Sequence, residues 1–355
     1  MEISDKANAI VITNGMLKEV NAKTAHGLIR GTSRFNIVGV LDKAFAGQDA
    51  GAVLDGKHRN IPVFDSIESA RHAVSDIRYC IIGVATHGGI LPEAFITVIE
   101  ECIQSGISIV NGLHEGLRDN PRLVAMAKEH HVELIDIRRP KQRFDLHFWH
   151  GKINEVDVPI IAVLGMDCAI GKRTTCRMVM EACASNNIHA EMIYTGQTGW
   201  MQGSKYGFIF DTTLNDFISG EIEHAIVSCW KDTDADVILI EGQSSLRNPS
   251  GPCGSELLVS GNARYTILVH APKRIYYDHL PEWGLIPSVK SEIELIGMYH
   301  SKVIALALNT ELCSDEEAFA FQKQFEHELK IPVLLPIQEG VDKIIPVIKA
   351  LLSPR

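Results

Sequence analysis

A glycine-rich segment with a lysine is the strongest chemical signal in this chain of 355 residues. It runs GMDCAIGKRTT over residues 165–175, between an apolar run at 158–164 and a helical pattern that starts at Lys172. Strand, glycine loop with lysine and helix are the setting of a phosphate-binding loop, because backbone N–H groups, the helix N-terminus and the ammonium all attract an anion. We therefore predict a phosphorylated ligand. The predicted phosphate-binding residues are Gly165, Asp167, Gly171, Lys172, Arg173, Thr174 and Thr175.

This loop departs from the common phosphate-loop pattern in two ways. Five residues rather than four separate Gly165 from Gly171, a spacing with an internal aspartate that resembles the loop of dethiobiotin synthetase. Arg173 also follows Lys172, where a serine or threonine hydroxyl would hold magnesium. The arginine leaves phosphate binding intact but argues against hydrolysis of a magnesium-bound nucleotide.

Other loops of the second half also follow predicted strands, at the edge where open α/β sheets place their ligands. One contains Thr195, Gly196 and Gln197, which offer close backbone approach and neutral hydrogen bonds. Another begins with Glu241, an acid that orients a metal, a water or a basic group, or instead acts as a cap or forms a buried pair with Lys172. Lys273 and Arg274 follow the predicted strand at 266–270. They either hold carboxylates or a phosphate, or lie at the solvated start of a helix. The remaining predicted substrate-binding residues are Gln243, Ser244, Arg247, Lys273, Arg274 and Lys23.

Composition excludes several classes of function. A formal net charge of −10 argues against a nucleic-acid-binding surface, and no long charge-free apolar span predicts a membrane segment. The first residues lack the features of a signal peptide, so we expect a cytoplasmic protein that acts on a small molecule and assembles as a homo-oligomer. The eight cysteines are scattered without paired CxxC spacing, which predicts free thiols and no metal site.

Apolar runs alternate with amphipathic stretches, which predicts an α/β fold with parallel sheets in two domains, residues 1–150 and 151–355. Strands are predicted at 9–13, 36–41, 61–64, 79–84, 108–111, 133–137, 158–164, 190–195, 237–240, 266–270, 303–308 and 333–335. Helices are predicted at 23–29, 67–72, 91–105, 121–130, 172–185, 216–230, 314–329 and 340–352. The first domain is expected to be doubly wound, yet it has no GxGxxG fingerprint, so Asp42 alone is weak evidence for a nicotinamide cofactor.

Taken together, the motifs resemble a two-domain family, long described as of unknown function, whose founding activity is D-glutamate N-acetyltransferase. The matching segments are 23–25, 165–175, 195–199 and 241–246. The resemblance implies a Rossmann-like N-terminal domain and a P-loop NTPase-like C-terminal domain with a mostly parallel sheet. It also implies acetyl-CoA as donor and an acidic D-amino acid as acceptor, a step of D-amino acid metabolism. Ser244 stands where the family usually has glycine, and Arg247-Asn248-Pro249 replaces a Ser-His-Pro-like stretch, which leaves the acceptor open.

Acetyl transfer also suits the residues, because a phosphate loop can bind the phosphates of CoA without hydrolysis. We expect Glu241 to take the amine proton, Gln197 or backbone N–H groups to stabilise the oxyanion, and Arg247 with Lys273 or Arg274 to hold substrate carboxylates. One alternative is an ATP-dependent ligase or kinase of the dethiobiotin synthetase type, with ATP and magnesium. The others are a non-catalytic nucleotide- or CoA-binding protein and an oxidoreductase that uses the first domain.

Overall fold

Short apolar runs that are buried on both faces form two six-stranded sheets, in which all neighbouring strands are parallel. The computed structural model describes residues 6–352, so residues 1–5, where we expected no signal peptide, lie outside the described part of the chain. The described chain divides into two units. The first ends at Pro140 and also takes Gln197–Gly203, whereas the second takes Lys141–Gly196 and the chain from Ser204 onward.

The first unit is a doubly wound sheet with helices. Its strands are β1 (Ala7–Ile12), β2 (Phe35–Leu41), β3 (Val63–Phe64), β4 (Tyr79–Ile82), β5 (Ser108–Asn111) and β6 (Leu134–Asp136). Its first helices are α1 (Lys23–Arg30), α2 (Ala50–Asp55), α3 (Ile67–Ala73), α4 (Glu93–Gln104) and α5 (Pro121–Glu129). In the strand order β3-β2-β1-β4-β5-β6, the chain first adds strands on one side of β1 and then, from β4 onward, on the other side. Sheets of this kind have a crevice at the carboxyl ends of the two strands where that change occurs, here β1 and β4.

The central strands of this unit are apolar on both faces, as a parallel sheet covered by helices requires. In β1, Ile10 and Ile12 pack into one layer of the core, and Ala9 and Val11 pack into the layer on the opposite face. Local sequence also sets helix starts. Asn120 accepts hydrogen bonds from two backbone N–H groups at the start of α5, directly before a proline in the first position.

The second unit contains the predicted phosphate loop. Its strands are β7 (Ile160–Gly165), β8 (Ala190–Ile193), β9 (Val237–Glu241), β10 (Tyr265–His270), β11 (Lys302–Leu308) and β12 (Val333–Leu334). The helices that follow in chain order are α6 (Lys172–Ser185), α7 (Gln197–Met201), α8 (Asn215–Asp232), α9 (Ser255–Val259), α10 (Val289–Met298), α11 (Asp315–Leu329) and α12 (Ile345–Leu351). The strand order β12-β11-β10-β7-β9-β8 places β7 between β10 and β9, so the loops after these three strands share one edge. The predicted α/β class, with a Rossmann-like unit followed by a P-loop unit, is confirmed.

The segment after β8 is the clearest departure from the sequence prediction. Residues 195–199 were expected to form one glycine loop, but α7 begins at Gln197 and belongs to the first unit. Met201 is fully buried in that unit's core, and Trp200 packs against the same cluster. Burial of these two side chains outweighs the poor helix propensity of the threonine and glycine before them. Helices α2, α9 and α10 were not predicted either.

None of the helices within residues 6–352 is long and apolar enough to cross a membrane.

His270 makes the stability of the second unit depend on pH. Its ring is buried edge-on against Phe325, with ring centroids 5.7 Å apart, and its Nδ1 has no hydrogen-bond partner among the described residues. Burial lowers the pKa of His270 from 6.5 to about 4. Between these two pH values, His270 is therefore protonated in the unfolded chain and neutral in the folded chain. The resulting contribution to stability is complete above pH ~6.5 and is lost, by about 3 kcal/mol, as the pH falls towards ~4.

We expect His270→Leu to lose about 3 kcal/mol less than the unaltered protein when the pH is lowered from ~7 to ~4, as measured by urea unfolding. His327→Gln is the matched control, because His327 lies exposed on α11 in the same unit. An equal loss of stability in His270→Leu and the unaltered protein would contradict the assignment.

Candidate functional site

The loop between β7 and α6 has the backbone shape of a phosphate-binding loop. Ala169 and Gly171 adopt φ angles of 53° and 95°, so the chain turns back on itself before the helix begins. The aliphatic part of Lys172 crosses directly over Gly165, where an added Cβ would lie 2.9 Å from Lys172 Cδ. Glycine at 165 is therefore required by the course of the lysine side chain.

Lys172 connects this loop to the loop after β9. Its ammonium donates hydrogen bonds to the carbonyl oxygens of Asp167 and Ser244, at 2.5 and 2.6 Å. The side chain is only 7% exposed, so it lies along the loop instead of extending into solvent. Ser244 itself has a φ angle of 29°, in the left-handed region that favours glycine.

Asp167 is an internal anchor of the phosphate loop. Its carboxylate is fully buried and accepts hydrogen bonds from Arg274 Nη1 at 2.9 Å, from Asn248 Nδ2 at 2.8 Å and from the Asp278 N–H at 2.7 Å. These donors come from the loops after β9 and β10. The aspartate was predicted to contact the ligand, whereas the structure shows its oxygens engaged with the protein.

The loops after β8 and β9 are joined by a second set of hydrogen bonds. Glu241 Oε2 accepts from the Thr195 N–H at 3.2 Å, and the Thr195 hydroxyl donates to the Glu241 carbonyl at 2.7 Å. Gln243 Nε2 in turn donates to the Thr195 hydroxyl at 2.9 Å. The structure therefore brings the phosphate loop, Thr195, Gly196, Glu241, Gln243 and Ser244 to one edge of the second sheet.

Glu241 lies beside the cations of the phosphate loop. It is 2% exposed, and burial raises its pKa above the ordinary glutamate value, although Arg173, the Thr195 N–H and Lys172 each lower it. Arg173 Nη1 is 3.7 Å from Glu241 Oε1. The residue after the loop lysine, which in magnesium-binding loops supplies a hydroxyl, here brings a guanidinium to the strand-end acid. Within residues 6–352, no group of three or more His, Cys, Asp or Glu residues is arranged to hold a metal ion.

The cations predicted to hold substrate carboxylates are bound to carboxylates of the protein. Arg247 contacts Glu292 at 2.7 Å, and Lys273 contacts Glu317 at 2.5 Å. Arg274 holds Glu311 with two hydrogen bonds of 2.6 and 2.9 Å, in addition to Asp167. A substrate would have to displace these partners, so the arrangement favours structural roles for all three cations.

Two predicted site residues, Gln197 and Lys23, belong to the first unit. Lys23 is the exposed first residue of α1. Gln197 is buried, and its Oε1 accepts a hydrogen bond from Arg138 Nη2 at 2.9 Å. The predicted catalytic pair, Glu241 and Gln197, is thus divided between the two units.

Sequence reasoning missed two residues that organise these sites. Asn248 is fully buried and holds Asp167, and Arg138 holds Gln197. Arg138 follows β6, so the rule that strand ends collect functional residues would have found it. Asn248 gave only a weak signal, as one member of a stretch that departs from the family pattern.

Asp42 does not offer a ribose-binding carboxylate. It is buried, and it accepts hydrogen bonds from the Thr13 hydroxyl at 2.6 Å, from the Leu17 N–H at 3.1 Å and from the Ala44 N–H at 3.0 Å. Thr13 and Leu17 lie in the loop after β1, so Asp42 holds that loop in place, which argues against a nicotinamide cofactor at this position.

Adjacent cations after β10 should differ sharply in their contribution to stability. Arg274→Met leaves Asp167 buried without its charged partner, and we expect a loss of about 3–5 kcal/mol in the free energy of unfolding. Lys273→Met is the matched control, because its ion pair is 32% and 45% exposed at the two side chains and should contribute about 1 kcal/mol or less. Equal losses in the two variants, measured by chemical denaturation, would contradict the anchoring role of Asp167.

Comparison with known proteins supports both units. Residues 147–345 match the family model described as "Domain of unknown function (DUF1611_C) P-loop domain", and residues 43–140 match "Domain of unknown function (DUF1611_N) Rossmann-like domain". A crystal structure of a DUF1611 family protein from Anabaena variabilis superposes with a TM-score of 0.88 at 25% identity, covering 97% of this chain and 100% of that chain.

Two curated relatives carry the name D-glutamate N-acetyltransferase. The protein from Pseudoalteromonas sp is 29% identical over 272 residues, which cover 75% of this chain and 79% of the relative. The protein from Tritonibacter scottomollicae is 29% identical over 279 residues, which cover 76% and 80%. The family resemblance seen in the motifs is confirmed, and this chain belongs to the DUF1611 family.

Proposed function

We propose that the chain is an N-acetyltransferase that transfers the acetyl group of acetyl-CoA to the amino group of an acidic D-amino acid such as D-glutamate. The observation that carries this proposal is the similarity, along three quarters of the chain, to two proteins named for that activity. The site geometry supports the donor, and the resemblance supplies the acceptor.

The phosphate loop supports a ligand that needs phosphate binding without hydrolysis. CoA has a pyrophosphate and a 3′-phosphate, and Lys172 with the start of α6 would attract either group. Arg173 supplies a fixed positive charge where a magnesium-binding hydroxyl would stand, and its guanidinium faces Glu241. This arrangement favours CoA over magnesium-bound ATP as the ligand of the loop.

Acetyl transfer needs a base and a donor for the oxyanion. The neutral amine would attack the thioester carbonyl carbon, so that a C–N bond forms and the C–S bond breaks as CoA leaves as a thiolate. Glu241 would accept the amine proton, and its pKa, raised by burial, brings the carboxylate closer to the range in which a base works efficiently. Backbone N–H groups of the glycine loops would stabilise the oxyanion.

Thermal shift measurements test the donor. We expect acetyl-CoA to raise the unfolding midpoint because a ligand that binds only the folded state stabilises it by mass action. We expect Lys172→Ala to abolish that rise. A rise with magnesium-bound ATP alone would overturn the proposal and favour a ligase or kinase of the dethiobiotin synthetase type.

A Glu241→Gln variant tests the proposed base. We expect acetyl transfer to D-glutamate to fall by about 100-fold or more while acetyl-CoA binding is retained, because general-base catalysis contributes about 10²–10⁴-fold. In the unaltered enzyme, kcat/KM should rise with pH through a range above that of an ordinary glutamate, since burial raises the pKa of Glu241 and only its deprotonated form accepts a proton.

Glu181→Gln is the control for this experiment, because Glu181 is 64% exposed on α6 of the same unit. Full acetyl transfer by Glu241→Gln would show that another group takes the proton. A pH profile that Glu241→Gln leaves unchanged would lead to the same conclusion.

A further inference from the structure

The first unit has a cleft of its own at the carboxyl ends of β4, β5 and β6. It is open to solvent, has a volume of about 130 Å³, and is lined by the loops after those strands together with Lys23 at the start of α1. The polar side chains among its described lining residues are those of Lys23, Thr86, His114 and Arg138. This volume is smaller than that of sites for drug-sized ligands, so the cleft has room only for a small molecule.

The charge of this lining contrasts with that of the whole chain. The formal net charge is −10, yet the cleft is lined by two cations and a histidine, and none of the described lining residues is an aspartate or glutamate. The acids of the neighbouring loops accept hydrogen bonds from backbone N–H groups. Glu115 accepts from the Leu91 N–H at 2.8 Å, and Asp136 accepts from the Leu117 and Arg118 N–H groups, each at 3.0 Å. The lining therefore favours an anionic ligand.

Arg138 is held in position before any ligand arrives. Its Nη2 donates to Gln197 Oε1 at 2.9 Å, and its Nη1 contacts His114 Nε2. Since a guanidinium only donates, His114 Nε2 accepts, which places the imidazole proton on Nδ1. Gln197 packs so closely on Gly112 that an added Cβ there would lie 2.8 Å from Gln197 Cγ. The packing of Gln197 thus fixes one side of the guanidinium.

We propose that this cleft binds a small dicarboxylate, with Arg138 holding one carboxylate and Lys23 the other. The planar fork of an arginine matches a carboxylate, and the ammonium of a lysine acts as a point charge that suits a second, more mobile anionic group. The identification of the ligand as an acidic amino acid, the acceptor, rests on the proposed function. The charge and shape of the cleft carry the remainder of the argument.

Calorimetric titration of the full-length protein with D-glutamate tests the proposal. We expect Arg138→Met and Lys23→Met each to raise the Kd for D-glutamate by about tenfold or more, because each removes a charged hydrogen-bond donor. Arg138→Lys should lie between the unaltered protein and Arg138→Met, since it keeps the charge but loses the fork. Unchanged circular dichroism and Tm in all variants would show that they fold.

Arg139→Met is the matched control, because Arg139 is the next residue in the chain, is exposed and does not line the cleft. It should leave the Kd for D-glutamate within about twofold, as expected for a surface charge with no ligand contact. An unchanged Kd in Arg138→Met and Lys23→Met would overturn the proposal. So would inorganic phosphate that binds in an Arg138-dependent manner when D-glutamate does not bind.

The proposed function and the cleft can fail separately. Acetyl transfer with an unchanged KM for D-glutamate in both variants would overturn the cleft and leave the transferase intact. D-glutamate binding that depends on Lys23 and Arg138, in a protein that transfers no acetyl group, would support the cleft and overturn the transferase.

Discussion

The buried carboxylate of Asp167 is the constraint on which the functional edge of the second unit depends. A buried carboxylate is very costly without partners, and Asp167 has three donors around it, Arg274, Asn248 and the Asp278 N–H. Those donors lie on the loops after β9 and β10, and Asp167 itself lies on the loop after β7. One charge therefore fixes the relative positions of three loops, and the turn that presents Lys172 follows from that arrangement.

The partners of the cations at this edge separate structural groups from groups available to a ligand. Arg247, Lys273 and Arg274 each face a carboxylate, so an incoming anion would have to replace one negative partner with another. Lys172 donates to the neutral carbonyl oxygens of Asp167 and Ser244, which an anion can replace with a gain in electrostatic energy. This difference supports Lys172 as the cation of the loop that contacts phosphate.

The sequence predicted the strands well because a strand buried on both faces must be apolar throughout, and that pattern is local. It predicted that loops after β7, β8 and β9 would converge because topology brings strand ends to one edge. It could not predict the pairing of Arg247, since Glu292 comes from α10, an element that the apolar pattern did not reveal. Nor could it assign Gln197 to the first unit or end that unit at Pro140, because both depend on tertiary packing.

The first unit is discontinuous, and this has a consequence for synthesis on the ribosome. Met201 completes a core whose other members include Leu28 and Ile29, so that core lacks a buried side chain until the ribosome has passed residue 203. By then the phosphate loop and α6 have already been synthesised. During translation, domains usually fold as units, and the N-terminal domain folds first. Here the core of the first unit stays incomplete while β7 and β8, the first strands of the second unit, are synthesised.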